Sequence, residues 1–148
     1  MKVKIILIIF CIAAGILFTF YFLNSENFYA KEEYSVFAFQ TGAFSKYDNA
    51  IKHSDMLPSS IILKEDNLYK VYVAMYKDID LVNKMLVYFE DNNINIFLKS
   101  VNIDKMLNEK LVNFEKLLMR TNEESVYNKI NQSILDSYLE SINNEKVN

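Results

Sequence analysis

The 148-residue sequence contains one cysteine, one histidine, one proline, two glycines and no tryptophan. The single cysteine, Cys11, excludes an intrachain disulfide, and the single histidine, His53, excludes a histidine pair as the basis of a metal site. There is no Ser-His-Asp or Cys-His set, and no recognisable pair of acid and base carboxylates. We therefore expect a protein that is not an enzyme and that needs no metal or cofactor.

Positive charge is not concentrated in any part of the chain. The sequence has 16 Lys and Arg residues against 19 Asp and Glu residues, which gives a net charge of -3. Nucleic-acid binding needs a clustered positive surface that faces the phosphates. The sequence has no such cluster, and a nucleic-acid partner is not expected.

One long hydrophobic run is present, at residues 5–23, and it contains no charged side chain. Nineteen residues of helix cross about 30 Å of hydrocarbon. Lys2 and Lys4 precede the run, whereas three glutamates and only one lysine follow it before residue 34. By the positive-inside rule we expect a cytoplasmic N-terminus, with the rest of the chain outside the cell membrane.

A cleaved signal peptide is the alternative for this segment. Signal peptides have a shorter apolar region and end in small residues, but residues 18–23 stay bulky and aromatic up to Leu23. An uncleaved single-span anchor is therefore favoured. The expected division is residues 1–23 for the cytoplasmic end and transmembrane helix, 24–33 for a spacer, 34–103 for a folded domain and 104–148 for a helical tail.

Strand and helix signals alternate along residues 34–103. Gly42 is expected to turn the chain away from the first strand. Ser45 or Asp48 is expected to cap the first helix, and Asp78 the second. Asp66 and Asn67 suit a two-residue hairpin turn. The predicted strands cover residues 34–41, 60–65, 68–76 and 94–101, and the predicted helices cover residues 46–57 and 79–91. This β-α-β-β-α-β order predicts an α+β fold of the split-βαβ (ferredoxin-like or RNP-like) type, with an antiparallel sheet and two helices on one face.

An internal repeat of 32 residues supports this order. Aligning Phe44 with Tyr76 also aligns Thr41 with Val73, so each half is one strand that leads into one helix. Period-two alternation then separates two sheet faces. The core face is expected to carry Phe37, Phe39, Val71 and Val73. The open face is expected to carry Val36, Ala38, Gln40, Leu68, Lys70 and Tyr72.

Residues 104–148 predict a helical hairpin. Leu107, Leu111, Phe114 and Leu118 follow a 4-3-4 spacing, and residues 121–124 form a capping box for a second helix. Neither helix can bury its apolar stripe alone. Packing on the folded domain is the favoured arrangement, and contact with another chain is the alternative.

Two segments resemble a known family. Residues 39–45, FQTGAFS, resemble the first motif of the SPOR (sporulation-related repeat) domain, in which a strand ends in a Q-x-G-[AS]-F turn. Residues 67–73, NLYKVYV, resemble the L-Y-[RK]-V strand of that family, although residues 74–76, AMY, stand where the family has glycine, proline and phenylalanine. The resemblance covers residues 34–101.

SPOR domains bind peptidoglycan, in particular glycan strands stripped of their stem peptides. The resemblance implies a membrane-anchored, non-catalytic wall-binding module that acts at division septa or at sporulation septum and engulfment sites. Its glycan-binding residues would be Gln40, Ala43, Leu68, Lys70 and Tyr72. Gln40 would hydrogen-bond sugar hydroxyl and N-acetyl groups, Tyr72 would stack on a sugar, and Lys70 would face lactyl carboxylates.

A protein-interaction module is the competing hypothesis. The same fold could recruit a divisome or engulfment partner through the sheet face or through the C-terminal helices.

Overall fold

The computed structural model describes residues 34–121 and 123–145. The described elements are β1 (Tyr34–Phe44), α1 (Tyr47–Ser54), β2 (Ile61–Glu65), β3 (Leu68–Tyr76), α2 (Ile79–Asp91), β4 (Phe97–Ile103), α3 (Lys105–Arg120) and α4 (Glu124–Glu145). The predicted anchor and spacer lie outside these residues. No helix within the described ranges has the length and apolar character that a membrane span requires.

The four strands form one antiparallel sheet in the order β2-β3-β1-β4. The prediction of an α+β fold with β-α-β-β-α-β connectivity is confirmed. The 32-residue repeat also holds in the structure, since Phe44 and Tyr76 end β1 and β3, and Tyr47 and Ile79 begin α1 and α2. Each central strand therefore leads directly into its own helix.

Helices α1 and α2 cover one face of the sheet. The Phe39 ring lies 5.7 Å from the Phe89 ring of α2, and the Tyr69 ring lies 5.2 Å from the Tyr47 ring of α1. Phe39 is fully buried. This is the face predicted to form the core.

The other face of the sheet is covered over β3 and part of β1, so the prediction that Lys70 and Tyr72 lie on an open face is wrong. Val36 and Ala38 point away from Phe39 but are buried, whereas Phe37, expected in the core, is 37% exposed. The covering layer is the helical hairpin α3–α4: α4 packs on β3 and β2, and α3 packs on α4. The Ser60 backbone N–H donates to Gln132 Oε1 of α4 at 3.1 Å. The favoured packing of the tail onto the domain is confirmed.

Gly42 lies inside β1, not at a turn after it. The pairing of β1 with β3 shifts register on both sides of Gln40, which marks two bulges. A Cβ atom at Gly42 would lie 2.7 Å from a ring carbon of Phe44. Glycine leaves room for the Phe44 ring to pack against the backbone, and a side chain at this position would displace that ring. The expected strand-ending turn is wrong.

The structure contains the predicted hairpin turn, and its two sheet-covering helices differ in how their N-termini are capped. Asp66 and Asn67 have positive φ values of 50° and 64°, as the predicted hairpin turn requires. Asp78 caps α2 by accepting from the backbone N–H groups of Asp80 and Leu81. The predicted cap of α1 is wrong, because Lys46 occupies that position and makes no side-chain capping bond.

Candidate functional site

The strand register brings the five predicted glycan-binding residues to one face of the sheet. Gln40 pairs with Tyr72, and Ala43 pairs with Lys70; Leu68 follows the alternation of β3 on the same side. Gln40 and Ala43 are an odd number of residues apart and would face opposite sides of a regular strand. The bulge between Gln40 and Gly42 returns Ala43 to the face of Gln40.

Burial divides these five residues into two groups. Ala43 and Leu68 are exposed and Gln40 is partly exposed, but Lys70 is 6% exposed and Tyr72 is fully buried. Lys70 and Tyr72 therefore do not present their side chains to solvent as predicted. Two neighbours explain their burial: the α3–α4 layer on this face, and the carboxylates of the β2–β3 hairpin.

The two buried side chains belong to a polar cluster, here called the hairpin network: Glu65, Asp66, Lys70, Tyr72 and Lys99. Lys70 Nζ donates to Glu65 Oε2 at 3.0 Å and to Asp66 Oδ2 at 2.9 Å. The Tyr72 hydroxyl donates to Glu65 Oε1 at 3.1 Å, and Lys99 Nζ donates to Glu65 Oε2 at 3.2 Å. The Glu65 carboxylate thus accepts from three side chains on β3 and β4.

Charge within the hairpin network is balanced, with two carboxylates against two ammonium groups. Partial burial raises the pKa of Glu65, but hydrogen bonds and charge from Lys70 and Lys99 outweigh it and hold the pKa below the ordinary 4.5. The hydrogen bonds that Lys70 donates to Asp66 and Glu65 raise the pKa of its own ammonium group. Burial, together with the charge of Glu65, raises the pKa of Tyr72. Glu65 and Lys70 therefore form an ion pair at neutral pH.

Beside this network the sheet face is open to solvent at β4. Phe97 pairs with Gln40 and is 64% exposed. Lys99 lies on the same face, because it is two residues further along β4 and pairs with Ala38. We call Gln40, Phe97 and Lys99 the sheet platform. It combines a flat apolar ring, an amide that can donate and accept, and a cation whose side chain is 41% exposed.

Sequence reasoning missed Phe97, Lys99 and Glu65. The prediction began the last strand at residue 94, whereas β4 begins at Phe97, and it assigned no β4 side chain to a face. The alternation of Phe97, Lys99 and Val101 was the available signal. No sequence pattern near Glu65 indicates that its carboxylate accepts a hydrogen bond from Lys99, which lies 34 positions away.

The single histidine has a packing role at the junction of α1 and β1. His53 Nε2 lies 3.0 Å from Thr41 Oγ1, and the His53 ring lies 5.2 Å from the ring of Phe44. Within residues 34–121 and 123–145 no group of three or more His, Cys, Asp or Glu residues is arranged to hold a metal ion.

Comparison with known proteins finds no family model, no curated protein and no solved structure that matches this chain. The resemblance to SPOR domains therefore rests on the motif residues quoted above.

Proposed function

We propose that this chain is a membrane-anchored, non-catalytic module that binds peptidoglycan glycan strands through the sheet platform. The observation that carries the proposal is the register of Gln40, Phe97 and Lys99 on one exposed part of the sheet. Gln40 and Ala43, two residues of the motif that resembles SPOR domains, lie on this same face of the sheet.

Each platform side chain matches one feature of a glycan strand. The exposed Phe97 ring offers an apolar surface on which a sugar ring can stack. The Gln40 amide can accept from a sugar hydroxyl and donate to an N-acetyl carbonyl. Lys99 can pair with a lactyl carboxylate, a group that stays on the sugar when the stem peptide has been removed.

The other members of the hairpin network support Lys99 without contacting the ligand. Glu65 accepts from Lys99 and from the buried pair Lys70 and Tyr72, so it limits the positions that the Lys99 ammonium group can occupy. A positioned cation loses less conformational freedom on binding than a free one. In this proposal Lys99, and not Lys70, binds the lactyl carboxylate, and Phe97, and not Tyr72, stacks on the sugar.

Two expectations complete the proposal. The apolar run at residues 5–23 would hold the domain at the outer surface of the cell membrane. Division septa and engulfment sites are where amidases produce glycan strands without stem peptides, and there the module would accumulate.

Co-sedimentation with purified sacculi tests the proposal. Full-length protein in a mild non-ionic detergent would be mixed with sacculi before and after amidase treatment. We expect retention to rise after amidase treatment, and the variant Gln40→Ala/Phe97→Ala to lower retention about tenfold while keeping the wild-type circular dichroism spectrum. Wild-type protein that stays in the supernatant with amidase-treated sacculi would overturn the proposal.

A further inference from the structure

Strand β4 forms one edge of the sheet. Within residues 34–121 and 123–145 it pairs with β1 on one side, and no described strand pairs with its other side. Alternate residues of an antiparallel strand direct their backbone N–H and C=O groups to such an outer side, where an added strand can donate to them and accept from them. The hydrogen-bonding chemistry of this edge is therefore that of a docking site for an extended chain.

Strand β4 lacks the features with which proteins commonly block pairing at a sheet edge. Its seven residues, Phe97–Ile103, include no proline, and they pair with β1 without a bulge. Its one charged side chain, Lys99, donates to Glu65 at the end of β2, so the ammonium group is directed back across the sheet. Of the described elements only β1 packs extensively on β4, and the helices leave this edge accessible.

The opposite edge of the sheet is protected. Strand β2 has only five residues, and α4 packs on it. The backbone N–H of Ser60, directly before β2, donates to the Gln132 side chain of α4. A strand added at β2 would compete with α4, so β4 is the edge at which the sheet can be extended.

We infer that two copies of this chain pair through β4, antiparallel and about a two-fold axis at Ser100. In this register every residue of one β4 lies opposite a residue of the other. Phe97 lies opposite Ile103 of the second copy, and Lys99 lies opposite Val101. Opposed residues are an even number of positions apart, so both direct their backbone groups to the same side of β4. The hydrogen-bond pattern of the edge is therefore complementary to itself.

The side chains of β4 favour a second copy over an unrelated strand. Phe97 is 64% exposed, and opposite Ile103 it would form a pair of an aromatic and a β-branched side chain, which stabilises antiparallel strands. Lys99 faces Val101, so no like charges are directly opposed. Leu98, which is 43% exposed on the other face, would be shielded from water as well. The edge thus matches itself in side chains as well as in backbone groups.

The pairing is expected to be weak outside a membrane. One seven-residue strand per copy is a small contact beside the roughly 800 Å² that each partner buries in a standard stable interface. Copies held in one membrane by the proposed anchor meet at a much higher effective concentration than copies in solution. The dimer should therefore form on the membrane surface.

A two-fold axis through Ser100, perpendicular to the sheet, would place the sheet platforms of both copies on the same side. Phe97 and Lys99 of each copy lie on the paired strands, so one glycan strand would cross both platforms. This consequence rests on the proposed function. The pairing itself does not, because it uses the backbone of β4.

Disulfide trapping in a membrane tests the pairing. Full-length protein with Cys11→Ser would be reconstituted in liposomes of zwitterionic lipid, so that an introduced cysteine is the one thiol of the chain. We expect Ser100→Cys to form a disulfide-linked dimer on oxidation with diamide. Residues directly opposite each other have Cα atoms about 4.5–5.5 Å apart, within the range that a disulfide spans.

Ser35→Cys is the matched control. Ser35 is an exposed residue of β1, and its hydroxyl oxygen lies 2.5 Å from that of Ser100. In the pair the two Ser35 residues would lie at least about 14 Å apart, because two β1 strands and two β4 strands separate them. The Ser35→Cys dimer should therefore form at least about tenfold more slowly.

A charge at the axis gives a second measurement that needs no disulfide. Ser100→Lys would set two ammonium groups opposite each other, whereas Ser35→Lys removes the same hydroxyl contact without reaching the axis. In the same liposomes, single-molecule photobleaching would count the dimer fraction. We expect Ser100→Lys to lower this fraction at least about fivefold and Ser35→Lys to leave it unchanged.

Three results would overturn the inference. The first is equal rates of disulfide formation for Ser100→Cys and Ser35→Cys. The second is a dimer fraction that Ser100→Lys leaves unchanged, because the contact would then lie elsewhere. The third is a wild-type protein that bleaches in single steps only. Selective trapping at Ser100 without retention by amidase-treated sacculi would support the pairing and overturn the proposed function alone.

Discussion

Lys70 is a buried cation whose charge is balanced by two carboxylates of its own hairpin. Lys70→Ala removes the donor of both ion pairs and leaves Glu65, itself partly buried, with fewer partners. We expect a loss of about 1–3 kcal/mol in the free energy of unfolding, measured by urea denaturation. Lys116→Ala, at an exposed lysine, should change it by less than about 0.5 kcal/mol. Equal values for the two variants would contradict the description of the hairpin network.

Low pH should reduce the free energy of unfolding through protonation of Glu65. The pKa of Glu65 is lower in the folded state than the ordinary 4.5. The ionised carboxylate therefore stabilises the fold at pH values above the pKa of the unfolded state. This contribution disappears as the pH falls through the pKa of the folded state. Urea denaturation between about pH 6 and about pH 3 should show this loss. The variant Glu65→Gln, which carries no titrating group at this position, should show a smaller dependence on pH. A Glu65→Gln curve parallel to that of the wild type would assign the acid sensitivity to other carboxylates.

Two neighbouring phenylalanines give a direct test of the face assignment. Phe39 is fully buried and contacts the rings of Tyr76 and Phe89, so Phe39→Ala should cost about 3–5 kcal/mol of unfolding free energy. Phe37→Ala should cost clearly less, because Phe37 keeps more than a third of its surface exposed. Both values come from chemical denaturation of the full-length variants. Similar losses at the two positions would show that Phe37 belongs to the core after all.

Local signals predicted the elements well where chemistry acts between near neighbours. The Asp66–Asn67 turn, the Asp78 cap and the full extent of β3 follow from residues within each segment. The predicted strand boundaries are wrong where pairing with a strand distant in sequence sets them. Gly42 remains in β1 because the strand pairs with β3 up to Phe44, and β4 begins late because its pairing with β1 starts at Gln40 and Phe97.

The C-terminal helices are part of the core of the domain. Ile134 and Leu135 of α4 belong to the same buried cluster as Val36 and Tyr72 of the sheet. Removing residues 104–148 would expose this apolar surface, so we expect the shortened chain to lose cooperative thermal unfolding and near-ultraviolet circular dichroism. Removing only residues 146–148 provides the control and should leave both signals unchanged. A cooperative transition in the chain that ends at residue 103 would show that the sheet and its first two helices fold alone.

Across the whole molecule, the connectivity could be predicted from the sequence but the exposed surface could not. Alternation correctly placed Val36, Ala38 and Gln40 on one side, and the register groups them with Tyr72. Whether that side faces water depends on where residues 104–145 pack, and this is a property of the complete fold. The five residues predicted to bind glycan share one face of the sheet, but Lys70 and Tyr72 are covered there. Phe97 and Lys99 lie on the exposed part of the same face.

The most direct test of the proposed binding surface compares two exposed phenylalanines on opposite faces of the sheet. Phe97 shares the face of Gln40, whereas Phe37 pairs with Ser100 and faces the other way. The dissociation constant of full-length protein for soluble glycan strands without stem peptides would be measured for Phe97→Ala and Phe37→Ala. We expect the dissociation constant to rise at least about tenfold for Phe97→Ala and to stay within about twofold of wild type for Phe37→Ala. Equal effects of the two substitutions, or undiminished binding by Phe97→Ala, would contradict it.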